Sequence, residues 1–226
     1  MNESREISYE RRLILGLPFL LAGSLQARED SFSELTRACD ALAADLLEKK
    51  ALTPDEYLLK LAGLGAALDP RDVPKGKLGR FSTFDPPIEL GPIHRALPIM
   101  IIQWRFAPGA VLPPHNHTPG HVLSVCVEGE CRVRHFDALG APPLDSGETF
   151  RVRETENRVL RAGRSTSLTP ERDNIHTFEA GPEGASGFDL NTFLPGEGDW
   201  SMLELDDRPL KGYERVFEAK WIGKPS

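Results

Sequence analysis

His115 and His117 stand two residues apart, directly after the stiff pair Pro113-Pro114. In an extended chain, residues i and i+2 project from the same face, so both imidazoles can reach one metal ion as adjacent ligands. The apolar run Ile99 to Phe106 lies behind them and would shield such a site, while the prolines stiffen the approach. A third ligand must then come from a distant segment. His176, in Asp173-Asn174-Ile175-His176 at the entry to a β-like run, is the only histidine well downstream. Of the other three histidines, His121 follows four residues after His117. It could be a fourth ligand, but the expected role is a hydrogen bond supporting the ligands from behind. His94 and His135 read as ordinary strand or loop histidines and are left outside the site.

Positioning these side chains requires a rigid scaffold, and the texture from Leu97 onward supplies one. Short apolar or alternating runs (Ile99 to Phe106, Val122 to Val127, Cys131 to Phe136) are separated by Pro-Gly, Glu128-Gly129-Glu130 and other Gly-rich turns. Many short strands of this kind predict a β-sandwich or barrel. Upstream the period changes. Ser31-Phe32-Ser33-Glu34 has capping-box spacing, and Phe32, Leu35, Cys39, Leu42 and Leu46 recur at helical intervals as far as Lys49-Lys50. Thr53-Pro54-Asp55-Glu56 repeats the device ahead of Tyr57, Leu58, Leu61, Leu64 and Leu68. A helical hairpin is therefore predicted over 28–74, with Cys39 a packing residue on its apolar stripe, and a barrel over 75–226. Before the hairpin, Arg11-Arg12, an apolar run from Leu13 to Ala22 and a small-residue stretch ending at Ala27 look like a twin-arginine export signal. This run is too short for a stable membrane anchor. The expected location is thus periplasmic or exported, the alternative being a cytoplasmic protein whose N-terminal segment packs over the domain.

The chain has 226 residues and a formal net charge of −7. That length suits one well-buried domain with extra helices. The acidic balance and scattered Lys and Arg exclude the electrostatic footprint of a nucleic-acid binder. Three cysteines, without a CxxC pair, exclude a disulfide framework and a zinc knuckle. Cys126 and Cys131 flank the Glu128-Gly129-Glu130 turn, where a two-residue loop would allow a disulfide and a three-residue loop would not. Both alternatives stand at this point.

Pro114-His115-Asn116-His117 followed by Pro119-Gly120, an apolar strand and a turn at Gly129 resembles the cupin thiol dioxygenases, within them the cysteamine dioxygenase and plant cysteine oxidase family. Asn174-Ile175-His176, an acidic and Gly-rich stretch, and Phe188-Asp189-Leu190 resemble that family's third-ligand strand and the strand after it. The resemblance runs roughly from Leu97 to Leu194. It implies a mainly β fold, the cupin double-stranded β-helix or jelly-roll barrel, here with an N-terminal helical hairpin. It implies Fe(2+) on His115, His117 and His176, and Asp189 as a catalytic carboxylate near the metal. Other cupins would offer a carboxylate after the histidine pair; His121 stands there, which favours the thiol dioxygenase branch. Val122 occupies the place of the cysteine that some relatives crosslink to tyrosine, so no such crosslink is expected.

The activity implied is addition of O2 to a small thiol or N-terminal cysteine to give a sulfinate. Three neutral imidazoles on a divalent ion leave positive charge and open positions, suited to an anionic thiolate beside dioxygen. The same ligand set suits zinc, nickel, copper and manganese. Asp189 would hold a ligand or a substrate amine, and Arg80, Arg95 or Arg105 could clamp a substrate carboxylate, although no motif singles one out. The alternatives are a cupin oxygenase acting on a carbon substrate, with a larger apolar pocket, and a non-catalytic metal-binding cupin.

Overall fold

Thr53-Pro54-Asp55-Glu56 starts a helix as its sequence predicts. Pro54 has no amide hydrogen to leave unpaired, the Thr53 hydroxyl accepts from the Glu56 amide at 3.3 Å, and Glu56 accepts from the Thr53 amide at 2.9 Å. This opens α2 (Pro54–Ala67). The preceding helix, α1 (Ala27–Leu47), starts ahead of the Ser31 expected to cap it. Ser31 instead donates its hydroxyl to Asp72 at 2.8 Å and ties α1 to a 3₁₀ turn at Pro70–Asp72. The computed structural model describes residues 27–81, 84–117, 120–143, 147–196 and 200–222. The expected export segment, apart from Ala27, lies outside the described residues.

The remaining described elements are strands: β1 (Gly79–Phe81), β2 (Ile88–Ala96), β3 (Ile99–Phe106), β4 (Val111–Asn116), β5 (Gly120–Ala138), β6 (Thr149–Arg161), β7 (Ser165–Leu168), β8 (Ile175–Phe193), β9 (Met202–Leu205) and β10 (Val216–Ile222). β5 and β8 pair antiparallel from Gly120↔Phe193 to Phe136↔Ile175. At one end β3, β2 and β1 add beyond β8, and β7 adds beyond β5. At the other end β4 and β9 add beyond β8, β6 and β10 add beyond β5, and β9–β10 pairing closes the ring. This is the cupin double-stranded β-helix, mainly β with two N-terminal helices.

Glu128-Gly129-Glu130 does not turn the chain back. It is a bulged crossing inside β5, with register shifts between Cys126 and Glu128 and between Gly129 and Cys131. Gly129 (φ 72°) faces Gly184 (φ 77°) of β8, and a Cβ on Gly129 would lie 2.2 Å from the Gly184 carbonyl oxygen. Only glycine meets both demands. The bulges bend the two long strands so that one strand pair serves both sheets. Cys126 and Cys131 are free and buried, and the Cys126 thiol donates to the Glu128 and Gly129 carbonyls at 3.5 and 3.7 Å. Cys39 is buried among α1, α2 and the sheet, and burial pushes its thiol up to about 12.

The helices share their core with the sheet. Phe32, Leu35, Tyr57 and Leu61 pack on Ile99, Ile101, Leu123 and Leu190. Tyr57 also hydrogen-bonds Thr192 of β8 at 2.5 Å. The outer face of β3, β5 and β8 is thus dry, while the inner face bounds the barrel.

Candidate metal centre

Two local devices carry the histidines inward. Pro113 and Pro114 cannot donate to a strand ladder, and the β4–β8 register shifts between Leu112 and His115. His115 then lies opposite His176. Two asparagines fasten the ligand segments. Asn174 accepts from the His117 amide at 2.8 Å and donates to the Pro170 carbonyl at 2.9 Å. Asn116 accepts from the Ser201 amide at 2.7 Å, holding the segment that carries Trp200, whose ring meets His115 edge-on at 6.0 Å.

The Nε2 atom of His176 lies 2.9 Å from that of His115 and 3.1 Å from that of His117. His115 Nδ1 donates to the Pro113 carbonyl at 2.9 Å, which leaves its Nε2 as the bare nitrogen. Burial holds the His115 imidazole down to about 4, and holds His117 and His176 well below the usual range. All three are therefore neutral lone-pair donors at neutral pH. One proton cannot satisfy three converging nitrogens, whereas one divalent ion can. Ligands about 2.1 Å from a common ion and at right angles lie about 3 Å apart, which matches both separations. Among the described residues no carboxylate joins the group that could hold a metal ion.

The other expected residues are dispersed. Asp189 borders the same cavity as His115 and His117. It accepts from Trp104 Nε1 at 3.0 Å and hydrogen-bonds Ser124, and burial pushes its carboxyl up from 3.8 to about 6. His121 is not brought to the other three. Its position on β5 alternates with Leu123 and Val125 on the helix-covered face, its ring centroid is 6.3 Å from that of Tyr57, and its Nδ1 is buried without a partner. It borders a separate hollow of about 230 Å³ that also touches His117. Of the three arginines, Arg95 borders the main cavity, Arg105 pairs with Glu89 at 3.3 Å, and Arg80 is exposed on β1.

His135, set aside from sequence, is the histidine closest behind a ligand. It pairs with His176 across β5–β8, with ring centroids 5.8 Å apart. Its Nε2 is 3.0 Å from the Thr166 hydroxyl, which donates to Glu156 at 2.9 Å. Because Thr166 gives its proton to Glu156, His135 Nε2 is the donor. The strand register that makes this contact is not written in local sequence.

The main cavity has a volume of about 630 Å³ and runs between β2, β3, β4 and β8. Its walls are mostly apolar, with Trp104, Phe106 and Phe178 stacked or tilted against one another at 4.8–6.2 Å.

The model of the PCO_ADO family, the cysteamine and plant cysteine oxidase family, matches residues 59–191, more than half of the chain. No curated protein matches. Among solved structures, KdgF from Halomonas sp. is 20% identical over 46% of this chain and 79% of its own, with a TM-score of 0.35. A cupin-like protein from Thermotoga maritima is 16% identical over 67% of this chain and 87% of its own, with a TM-score of 0.39. The 11S allergen from Cocos nucifera is 18% identical over 47% of this chain, with a TM-score of 0.37, and the match spans only 28% of the allergen's length.

Proposed function

This chain belongs to the PCO_ADO family of cysteamine dioxygenases and plant cysteine oxidases, and on that footing we propose that it is an iron-dependent dioxygenase acting on a small thiol or N-terminal cysteine. The thiol proton is released and both atoms of O2 end on sulfur, giving a sulfinate. The observation that carries this reading is the convergence of three neutral imidazoles, without a carboxylate, at the wall of a cavity wide enough for an organic thiol. His115, His117 and His176 would hold the iron. Ferrous iron bound there would supply a Lewis-acidic, redox-active centre for joining a thiolate to dioxygen.

The protein's own groups set the conditions around that centre. Pro113 fixes the tautomer of His115, and Asn174 and Asn116 hold the ligand segments in place. Asp189, with its carboxyl near 6, is mostly anionic at pH 7 and can accept a charge-assisted hydrogen bond from a substrate ammonium. A substrate that fills the apolar cavity displaces its water, which strengthens every polar interaction at the reacting sulfur.

The test joins metal analysis of anaerobically purified protein to O2 uptake with cysteamine, cysteine, 3-mercaptopropionate and N-terminal-cysteine peptides. Iron, with thiol-dependent uptake and a product heavier by two oxygen atoms, is the expected result. Zinc, nickel, copper or manganese as the resident metal, or no uptake with any thiol, would sink it. One observation favours a second reading: the breadth of the apolar cavity also suits a carbon substrate. A diketone and a flavonol therefore belong in the same assay. We further infer export through the twin-arginine-like segment 1–27; a purified protein that retains Met1 after secretion conditions would place it in the cytoplasm instead.

A further inference from the structure

The main cavity is much larger than an aminothiol and poorly matched to one in polarity. A two-carbon aminothiol would occupy roughly a fifth of the 630 Å³, judged from the space that a water molecule takes up. The rest would hold water against Leu90, Ile102, Trp104, Phe106, Leu112 and Phe178, the surfaces that gain most from losing it. Charged side chains on the wall are Arg95, which is exposed at the edge, and Asp189, whose carboxylate already accepts from Trp104 and Ser124. One end of the space is therefore a site for sulfur and an amine, and the remainder is a site for hydrocarbon.

We propose that the thiol oxidised here carries an apolar body at least as large as a leucine side chain, lying against Ile102, Trp104, Phe106 and Phe178 while its sulfur reaches the three histidines. This rests on the dioxygenase reading and sharpens it. The apolar walls that favoured a carbon substrate belong, on this view, to the flank of a thiol. Each methylene buried in such a pocket strengthens binding about fourfold.

Two of the three tryptophans, Trp104 and Trp200, line the cavity, while Trp221 donates to the Pro143 carbonyl elsewhere. Tryptophan emission thus reports occupancy without any metal. Metal-free protein would be titrated with cysteamine, with n-alkanethiols from ethanethiol to hexanethiol, and with 2-phenylethanethiol. Expected are saturable emission changes whose apparent Kd falls about fourfold per methylene, and at least tenfold weaker binding of hexanethiol to Ile102→Asn, a loss several-fold larger than the same substitution causes for cysteamine. Should that variant fail to fold, Met100→Gln, also on the wall, serves the same purpose. Iron-loaded protein would then be assayed for O2 uptake with the same thiols, and kcat/KM should rise along the series. Cysteamine as the best substrate, with no chain-length trend in emission, overturns the proposal while the dioxygenase reading stands. A chain-length trend without O2 uptake from any thiol overturns the dioxygenase reading and the assignment of a thiol with it.

Discussion

Strands β5 and β8 are buried on both faces, yet the two faces differ in kind. On the inner face, Asp189 and Asn191 of β8 border the cavity, Ser124 of β5 hydrogen-bonds Asp189, and His176 farther along β8 meets His115 and His117 at the cavity wall. On the outer face, Leu123, Val125, Leu190 and Thr192 alternate with them and are sealed by α1 and α2. The outer face gains its energy from filling space, and a residue there is replaceable by another of similar shape. On the inner face three imidazole nitrogens converge and a buried carboxylate is held by Trp104 and Ser124, so identity matters more than volume. That contrast yields opposite expectations for stability and for function.

The largest effect is expected from His176→Ala, because its Nε2 lies within about 3 Å of both partners. Bound metal should fall below stoichiometry and thiol-dependent O2 uptake should drop by roughly three orders of magnitude or more. The metal-free fold should survive, as read by its thermal transition. On the outer face, Leu61→Ala should do the reverse. It removes a fully buried side chain from the helix–sheet core and should cost about 2–5 kcal/mol by denaturant titration. Metal stoichiometry measured well below the transition should stay at the wild-type value. A Leu61→Ala protein that is stable yet metal-poor would show that the two faces are coupled.

Asp189→Asn tests the inner face for a trade of stability against function. An acid whose folded value is raised contributes stability below its unfolded value and loses it as pH rises through the folded value. For Asp189 that window runs from 3.8 to about 6, so the carboxylate is a cost of roughly 3 kcal/mol at neutral pH. The amide oxygen can still accept from Trp104 and Ser124. The variant should therefore be more stable than wild type at pH 7, with less loss of stability between pH 4 and 6, while kcat/KM for an amine-bearing thiol falls by roughly ten- to a hundredfold. Destabilisation at pH 7 would instead mean that the charge is compensated by its neighbours.

The sequence carried a good deal of this arrangement, unevenly. Thr53, Pro54 and Glu56 announce α2 because a cap is a local device, and the two-residue spacing of His115 and His117 announces a shared face because alternation is local too. Ser31 misled because capping spacing also occurs inside a helix whose start is set elsewhere. Val122 to Val127 reads as an apolar run broken by Ser124 alone, since a strand buried on both faces loses its alternation. Which face His121 takes was therefore not readable, nor was the crossing at Gly129, which depends on the approach of Gly184. The pairing of His135 with His176 is a matter of register across forty residues of chain, beyond the reach of any local pattern.

His121 offers the finest test of the difference between the faces, because the expected change is close to nothing. Its ring packs beside Tyr57 with Nδ1 buried and unpartnered, and burial holds its pKa below the usual value, so it is neutral in the folded protein. The unfolded chain takes up the proton first, so this residue stabilises above its ordinary value of 6.5 and withdraws that contribution as pH falls below it. Phenylalanine fills similar space without a polar atom to satisfy. His121→Phe should thus change stability at pH 7 by no more than about 1 kcal/mol and soften the decline at acid pH. Metal content and kcat/KM should be unaltered, because the group that could hold an ion is complete without it. A loss of metal would move His121 from the dry face to the working one, and would mean that the small hollow it shares with His117 is a path by which the outer strand positions supports the ligands.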